Sequence, residues 1–224
     1  METFCVPCIL NNMSVRILQF VNGECYHIYN RGNSKQVIFH DVQDHEYFIK
    51  LLQCMNTEDR IAIRDVEDKN SLKKECIVSI GSYCLMPNHF HILLKQEKEG
   101  GVSKFMQKIS TAYVMYYNKK YKHSGSLFEG KFKSKYSGTD VYLRYLFSYI
   151  HLNPLKILDH EWKLKASNIP ETMLHFLESY RYSSFLEYYT NTFTIVAKDA
   201  FPDYFPTRSD FVKDIQSWFP RGSM

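Results

Sequence analysis

No apolar run in these 224 residues approaches the ~20 that a membrane helix needs, so no membrane partner is expected. The N-terminus carries neither the basic start nor the unbroken apolar core of a secretory signal. No repeat and no low-complexity segment is visible. Six cysteines (Cys5, Cys8, Cys25, Cys54, Cys76, Cys84) are present, but a chain of this size without an export signal has no need of staples. Reduced thiols and a cytoplasmic location are therefore expected. Cys5-Val-Pro-Cys8 has zinc or redox spacing, yet no second pair completes a metal site. At 45% hydrophobic and 23% charged the composition is that of a folded globular protein rather than a disordered one. The length suits one ample domain, or one domain with a small appendage.

Charge of one sign is scarce in the middle of the chain. Between Gly101 and Arg144 nine lysines and arginines face only two acids, Glu129 and Asp140. That excess of seven leaves the remainder at −3 against an overall +4. A basic middle in an otherwise acidic chain is the footprint of a polyanion-binding surface. A lysine face kept only for solubility is the competing reading.

The most informative stretch is Ser82 to Lys95. Two β-prone runs, Cys76 to Leu85 and His89 to Leu94, flank the turn signal Met86-Pro87-Asn88. Side chains alternate along a strand, so His89 and His91 share one face while Phe90 and Ile92 share the other. Two neutral imidazoles on one face can hold a cation from one direction. Farther on, Tyr149 and Asn153 stand one helical turn apart on one face, just before Pro154, which should end that helix near Asn153.

Elsewhere the periodicity predicts a strand at Cys25 to Tyr29, with His27 as a packed or hydrogen-bonded residue within it. A helix follows from Asp44 to Met55, capped by Asp41 or Asp44, and then a polar stretch from Thr57 to Lys74. A long helix, Val102 to Tyr121, should bury Phe105, Ile109, Ala112 and Tyr116 and carry a basic stripe that includes Lys104 and Lys108. Lys131 to Tyr136 alternates basic and aromatic residues. That pattern suits a strand presenting Lys131, Lys133 and Lys135 to phosphates, and equally an edge strand guarded by lysines. Thr139 or Asp140 should cap a helix from Val141 to about Leu152. Pro170 to Glu178 and Asp210 to Phe219 read as short helices in a less regular tail. The pattern is α+β, an antiparallel sheet with helices packed on one face. The expected division is an irregular leader at 1–22, a domain at 23–160 and a helical C-terminal extension at 161–224.

In combination these segments resemble the HUH single-tyrosine transposases. They are the nucleases of small insertion sequences mobilised as single-stranded DNA, together with their relatives associated with repetitive extragenic palindromes. The likeness rests on His89-Phe90-His91 after Met86-Pro87-Asn88 and on Tyr149-Ile-x-x-Asn153-Pro154. It extends to Tyr26-His-Ile-Tyr-Asn-Arg-Gly32, to Gly125-Ser-Leu-Phe-Glu-Gly-Lys-Phe-Lys-Ser134 and to Tyr180-Arg-Tyr-Ser-Ser184, in which Tyr182 replaces the tryptophan common in the palindrome-associated branch.

The resemblance implies a ferredoxin-like sheet, with the histidines on a central strand and the tyrosine helix beside it. It implies a DNA strand transferase in which Tyr149 attacks a phosphodiester to leave a 5′-phosphotyrosine and a free 3′-hydroxyl. His89, His91 and the Asn153 oxygen would hold the cation. Imidazoles commonly suit Zn, Cu, Fe or Ni, whereas the family implies Mg²⁺ or Mn²⁺. The expected partner is single-stranded or hairpin DNA, contacted by Arg31, Lys104, Lys108, Lys131, Lys133 and Lys135, in a protein that associates with the nucleoid when bound. Both a monomer and a homodimer with exchanged tyrosine helices occur in the family. His151, two residues beyond Tyr149, should point away from it and is a weak general base. Two alternatives remain: a retired transposase that binds hairpins without cutting them, and an unrelated metalloenzyme built on His-x-His.

Overall fold

The computed structural model describes residues 19–59, 75–162 and 170–218. The Cys5/Cys8 pair, most of the leader and most of the polar stretch after Thr57 lie outside them. The chain runs β1 (Cys25–Arg31), α1 (Val42–Cys54), β2 (Val78–Met86), β3 (His89–Gln96), α2 (Gly101–Tyr121), β4 (Lys133–Tyr136) and α3 (Asp140–Leu152). Four shorter helices follow: α4 (Leu155–Leu158), α5 (Pro170–Ser179), α6 (Phe185–Thr190) and α7 (Arg208–Ser217). All pairing is antiparallel in the order β2-β3-β1-β4, the expected ferredoxin-like arrangement.

Alternation along β1 and β3 divides the molecule in two. Tyr26, Ile28, Phe90, Ile92 and Leu94 face the core beneath α1 and α2. Cys25 and Leu93 face a second core, under α3 and the C-terminal helices. The α1–α2 pair thus occupies one face as expected, while α3 and the extension cover the other. The extension is a buttress: Trp162, Phe185 and Phe211 are almost wholly buried in the second core.

Local signals account for most of the boundaries. Asp41 caps α1, and Asp44 reciprocates to complete a capping box. Of Thr139 and Asp140, it is Thr139 that caps α3, accepting from Tyr142 N. The buried face of α2 holds Phe105, Ile109 and Ala112 as expected, but continues through Tyr113 and Tyr117 rather than Tyr116. Tyr116 instead donates to Asp44. Gly101 is dictated by close approach, since a Cβ there would stand 2.2 Å from the Ile77 carbonyl oxygen. The strand expected over 131–136 forms only at Lys133–Tyr136, and Lys131 lies outside it.

Tyr180 to Ser184 lies along the outer edge of β2. Leu85 N donates to Tyr182 O, Ser184 N to Tyr83 O, and Tyr83 N to Ser184 Oγ. An open strand edge is an invitation to unwanted pairing, and this segment closes it. The four described cysteines, Cys25, Cys54, Cys76 and Cys84, are free thiols. Among the described residues no helix is long and apolar enough to cross a membrane.

Candidate active site

Strand register assembles the site. Across β1 and β3, Arg31 pairs with His89, Tyr29 with His91 and His27 with Leu93, so the odd-numbered side chains of both strands share the face that α3 covers. β4 adds to that face, with Lys133 opposite Tyr29 and Lys135 opposite His27. From above, α3 lowers Tyr149 onto the histidines, its ring 5.6 Å from His91 and 5.7 Å from His27. His89 and His91 are 5.0 Å apart, edge to face. A cavity of about 260 Å³ is lined by Arg31, His89, His91, Glu129, Tyr149 and Lys156, among others. One chain supplies both the histidines and the tyrosine.

Each imidazole has one nitrogen engaged. His89 Nδ1 lies 2.6 Å from Asn88 Oδ1 and His91 Nδ1 lies 2.9 Å from His27 Nε2. This leaves Nε2 of both as the donor atom toward a cation. Burial, then Arg31 and Lys156, push His89 down to about 4. His91 is held well below its ordinary value, chiefly by burial, and His27 falls to about 4 for the same reason. All three are neutral at physiological pH, the form that binds metal. Tyr149 moves the other way: burial and then Tyr145 raise it, and Asn153 offsets part of the rise.

Asn153 is engaged at the end of α3, with Tyr149 and Lys156. Its backbone N–H turns to Ile150 O, so the Tyr149 carbonyl loses its usual helical partner, and Asn153 Nδ2 fills the gap at 2.7 Å. Its Oδ1, the atom expected to meet a cation, accepts from Lys156 Nζ at 3.0 Å. Among the described residues no three His, Cys, Asp or Glu side chains cluster as metal ligands.

The expected DNA contacts divide similarly. Arg31 lines the cavity, and Lys133 and Lys135 share its face. Lys104 and Lys108 do not: they ride on α2, across the sheet. There Lys108 donates to the Thr57 and Asp59 carbonyl oxygens and Lys104 pairs with Glu58 at 3.9 Å. His151 points away from the cavity, as expected. It is fully buried and lies 2.7 Å from Ser184 Oγ.

Four lining residues, Tyr29, Asn30, Glu129 and Lys156, are not anticipated by the sequence reading. Lys156 reaches the site because Pro154 ends α3 without ending the helical course. Pro154 keeps φ −56°, a new turn begins, and Lys156 Nζ comes to rest 5.4 Å from the Tyr149 ring centre. Its spacing of seven from Tyr149 was the available signal. Glu129 is held at the cavity by a bond from its N–H to Arg31 O, a pairing no local pattern announces.

With this geometry in place, comparison with known proteins is direct. Residues 21–153 match the model of the IS200-like transposases, more than half of the chain, and the chain belongs to that family. Among solved structures, a REP-associated tyrosine transposase bound to a REP hairpin shares the fold. Its TM-score is 0.51 at 14% identity, over 82% of this chain and 90% of that one. No curated protein sequence matches.

Proposed function

We propose that this transposase cleaves and rejoins single-stranded DNA through Tyr149. The observation that carries the proposal is the seating of the Tyr149 ring against the His89/His91 pair, on the cavity that Arg31 and Lys156 also line. A phosphodiester repels nucleophiles by its charge, and a cavity lined by cationic side chains lowers that barrier. Arg31, Lys133 and Lys156 draw the scissile phosphate in. The Tyr149 hydroxyl, having passed its proton to water or a base, attacks phosphorus. The bond to the 3′-oxygen breaks, that oxygen takes up a proton, and the 5′-phosphate stays on the tyrosine. Phosphoester energy is kept in the protein link, so the reverse step rejoins the strand without a nucleotide cofactor.

The donor set suits a divalent cation held loosely: two neutral imidazoles presenting Nε2, with room for oxygen ligands from substrate and water. His89 and His91 would hold Mg²⁺ or Mn²⁺, whose contribution when bound is to polarise a phosphate oxygen. Asn153 supports the site through Tyr149, by tying off its carbonyl. Hairpin-flanked DNA is the substrate class proposed, in keeping with the REP hairpin bound to the structural relative. Incubation with a labelled single-stranded oligonucleotide should give a covalent protein–DNA band, which Tyr149→Phe abolishes while binding stays nearly intact. An adduct that persists in Tyr149→Phe overturns the assignment.

A further inference from the structure

The nucleophile is one end of an aromatic ladder. Tyr142, Tyr145 and Tyr149 recur at the i, i+3, i+7 spacing of a single face of α3. Their rings stack in sequence, 5.8 Å and 20° between the first pair, 5.7 Å and 27° between the second. Both ends carry an ammonium: Lys135 Nζ lies 4.6 Å from the Tyr142 ring centre and Lys156 Nζ 5.4 Å from that of Tyr149. Trp218, at the end of α7, stands edge-on to Tyr145 at 5.3 Å and remains 37% exposed. It is held there by Asp214, which accepts from Arg144 and Ser148 of α3. A groove of about 500 Å³ runs along Tyr142, Tyr145 and Trp218. A smaller depression shares Tyr145 and Trp218 with this groove and Tyr149 and Lys156 with the cavity of the histidines.

We infer that this groove is a stacking platform for the unpaired nucleotides next to the scissile phosphate, with Trp218 and Tyr142 against bases and Lys135 and Lys156 against phosphates. The inference rests on the proposed function. A duplex hides its base faces within the stack, so rings presented this way select single strands, and every base has a face to offer. Alternation of rings with cations matches a strand whose charges lie beside its bases. An apolar protein partner does not call for an ammonium at both ends of the ladder.

The test uses the full chain carrying Tyr149→Phe, which cannot cleave and keeps the ring. A single-stranded thymidine oligonucleotide and an abasic strand of equal length are titrated by anisotropy, with and without Trp218→Leu. We expect loss of the bases to weaken binding roughly tenfold, Trp218→Leu to weaken thymidine binding to a similar extent, and the two losses not to add. Circular dichroism should show the Trp218→Leu protein folded, and Tyr142→Leu should repeat the pattern. Equal affinity for the two strands, or a loss in Trp218→Leu that is the same for both, overturns the platform and leaves the nuclease reading standing. Failure to bind either strand also overturns the platform. A Trp218→Leu protein that changes from dimer to monomer with unaltered thymidine affinity assigns the groove to a second copy of the chain and overturns it as well.

Discussion

His91 Nδ1 and His27 Nε2 lie 2.9 Å apart, and a hydrogen bond between them has one useful polarity. If His91 is to keep a lone pair on Nε2, its proton must sit on Nδ1 and be donated to His27. His27 must then carry its own proton on Nδ1. A residue that reads in sequence as a packed strand histidine therefore sets the tautomer of its neighbour. Such outer partners commonly change metal affinity by about 10–100-fold. We expect His27→Phe to fold, to keep binding single strands, and to lose Mn²⁺ affinity by about that factor in calorimetry. Unchanged affinity would make His27 a packing residue only. His89 is different, since its Asn88 partner comes from its own turn and follows directly from the Pro-Asn signal. Burial raises Tyr149 above the ordinary phenol value.

Helix α3 joins the chemistry to the frame. One face presents Tyr142, Tyr145 and Tyr149, while Phe147, Ile150 and His151 are buried in the second core. Ser184 is the pin: its Oγ accepts from Tyr83 N, donates to Tyr83 O and faces His151 Nε2. Strand β2, helix α3 and the extension thus meet at one hydroxyl. Ser184→Ala leaves a buried strand N–H without its acceptor, and we expect a loss of about 1–3 kcal/mol in denaturant unfolding. A loss within ±0.5 kcal/mol, the level of ordinary surface changes, would show that the extension is held by its apolar contacts alone.

Much at this scale was legible beforehand, because capping and alternation are local. Asp41, Thr139 and the His89/His91 face could all be read in place. What escaped depended on partners distant in sequence. The turn after Pro154 that delivers Lys156, the diversion of Asn153 to the Tyr149 carbonyl, and the closing of the β2 edge by Tyr180 to Ser184 are set by tertiary packing. β4 is shorter than the Lys131–Tyr136 alternation suggests, since pairing with β1 stops at Lys133.

For the whole molecule, the sheet separates two kinds of lysine that sequence counting treats alike. The excess charge between Gly101 and Arg144 is real, but α2 turns Lys104 and Lys108 toward Glu58 and the loop after α1, away from the histidine face. Lys133 and Lys135 stand on the histidine face itself. We expect Lys133→Ala and Lys135→Ala each to weaken single-strand binding and to reduce the salt slope by about 0.7 for each phosphate no longer neutralised. Lys104→Ala and Lys108→Ala should leave both quantities unchanged. Equal effects from the two pairs would mean that DNA wraps beyond the site, across the α2 side.

Two phenols, not one, line the cavity of the histidines: Tyr29 from β1 and Tyr149 from α3. Their rings lie 6.0 and 5.6 Å from His91, so proximity alone does not separate them. The decisive measurement is to trap the covalent protein–DNA adduct, digest it, and locate the nucleotide by mass spectrometry. The account predicts a 5′-phosphate on the peptide that contains Tyr149 and on no other. A nucleotide on Tyr29, on another tyrosine, or no adduct under conditions where the oligonucleotide is cut would contradict it.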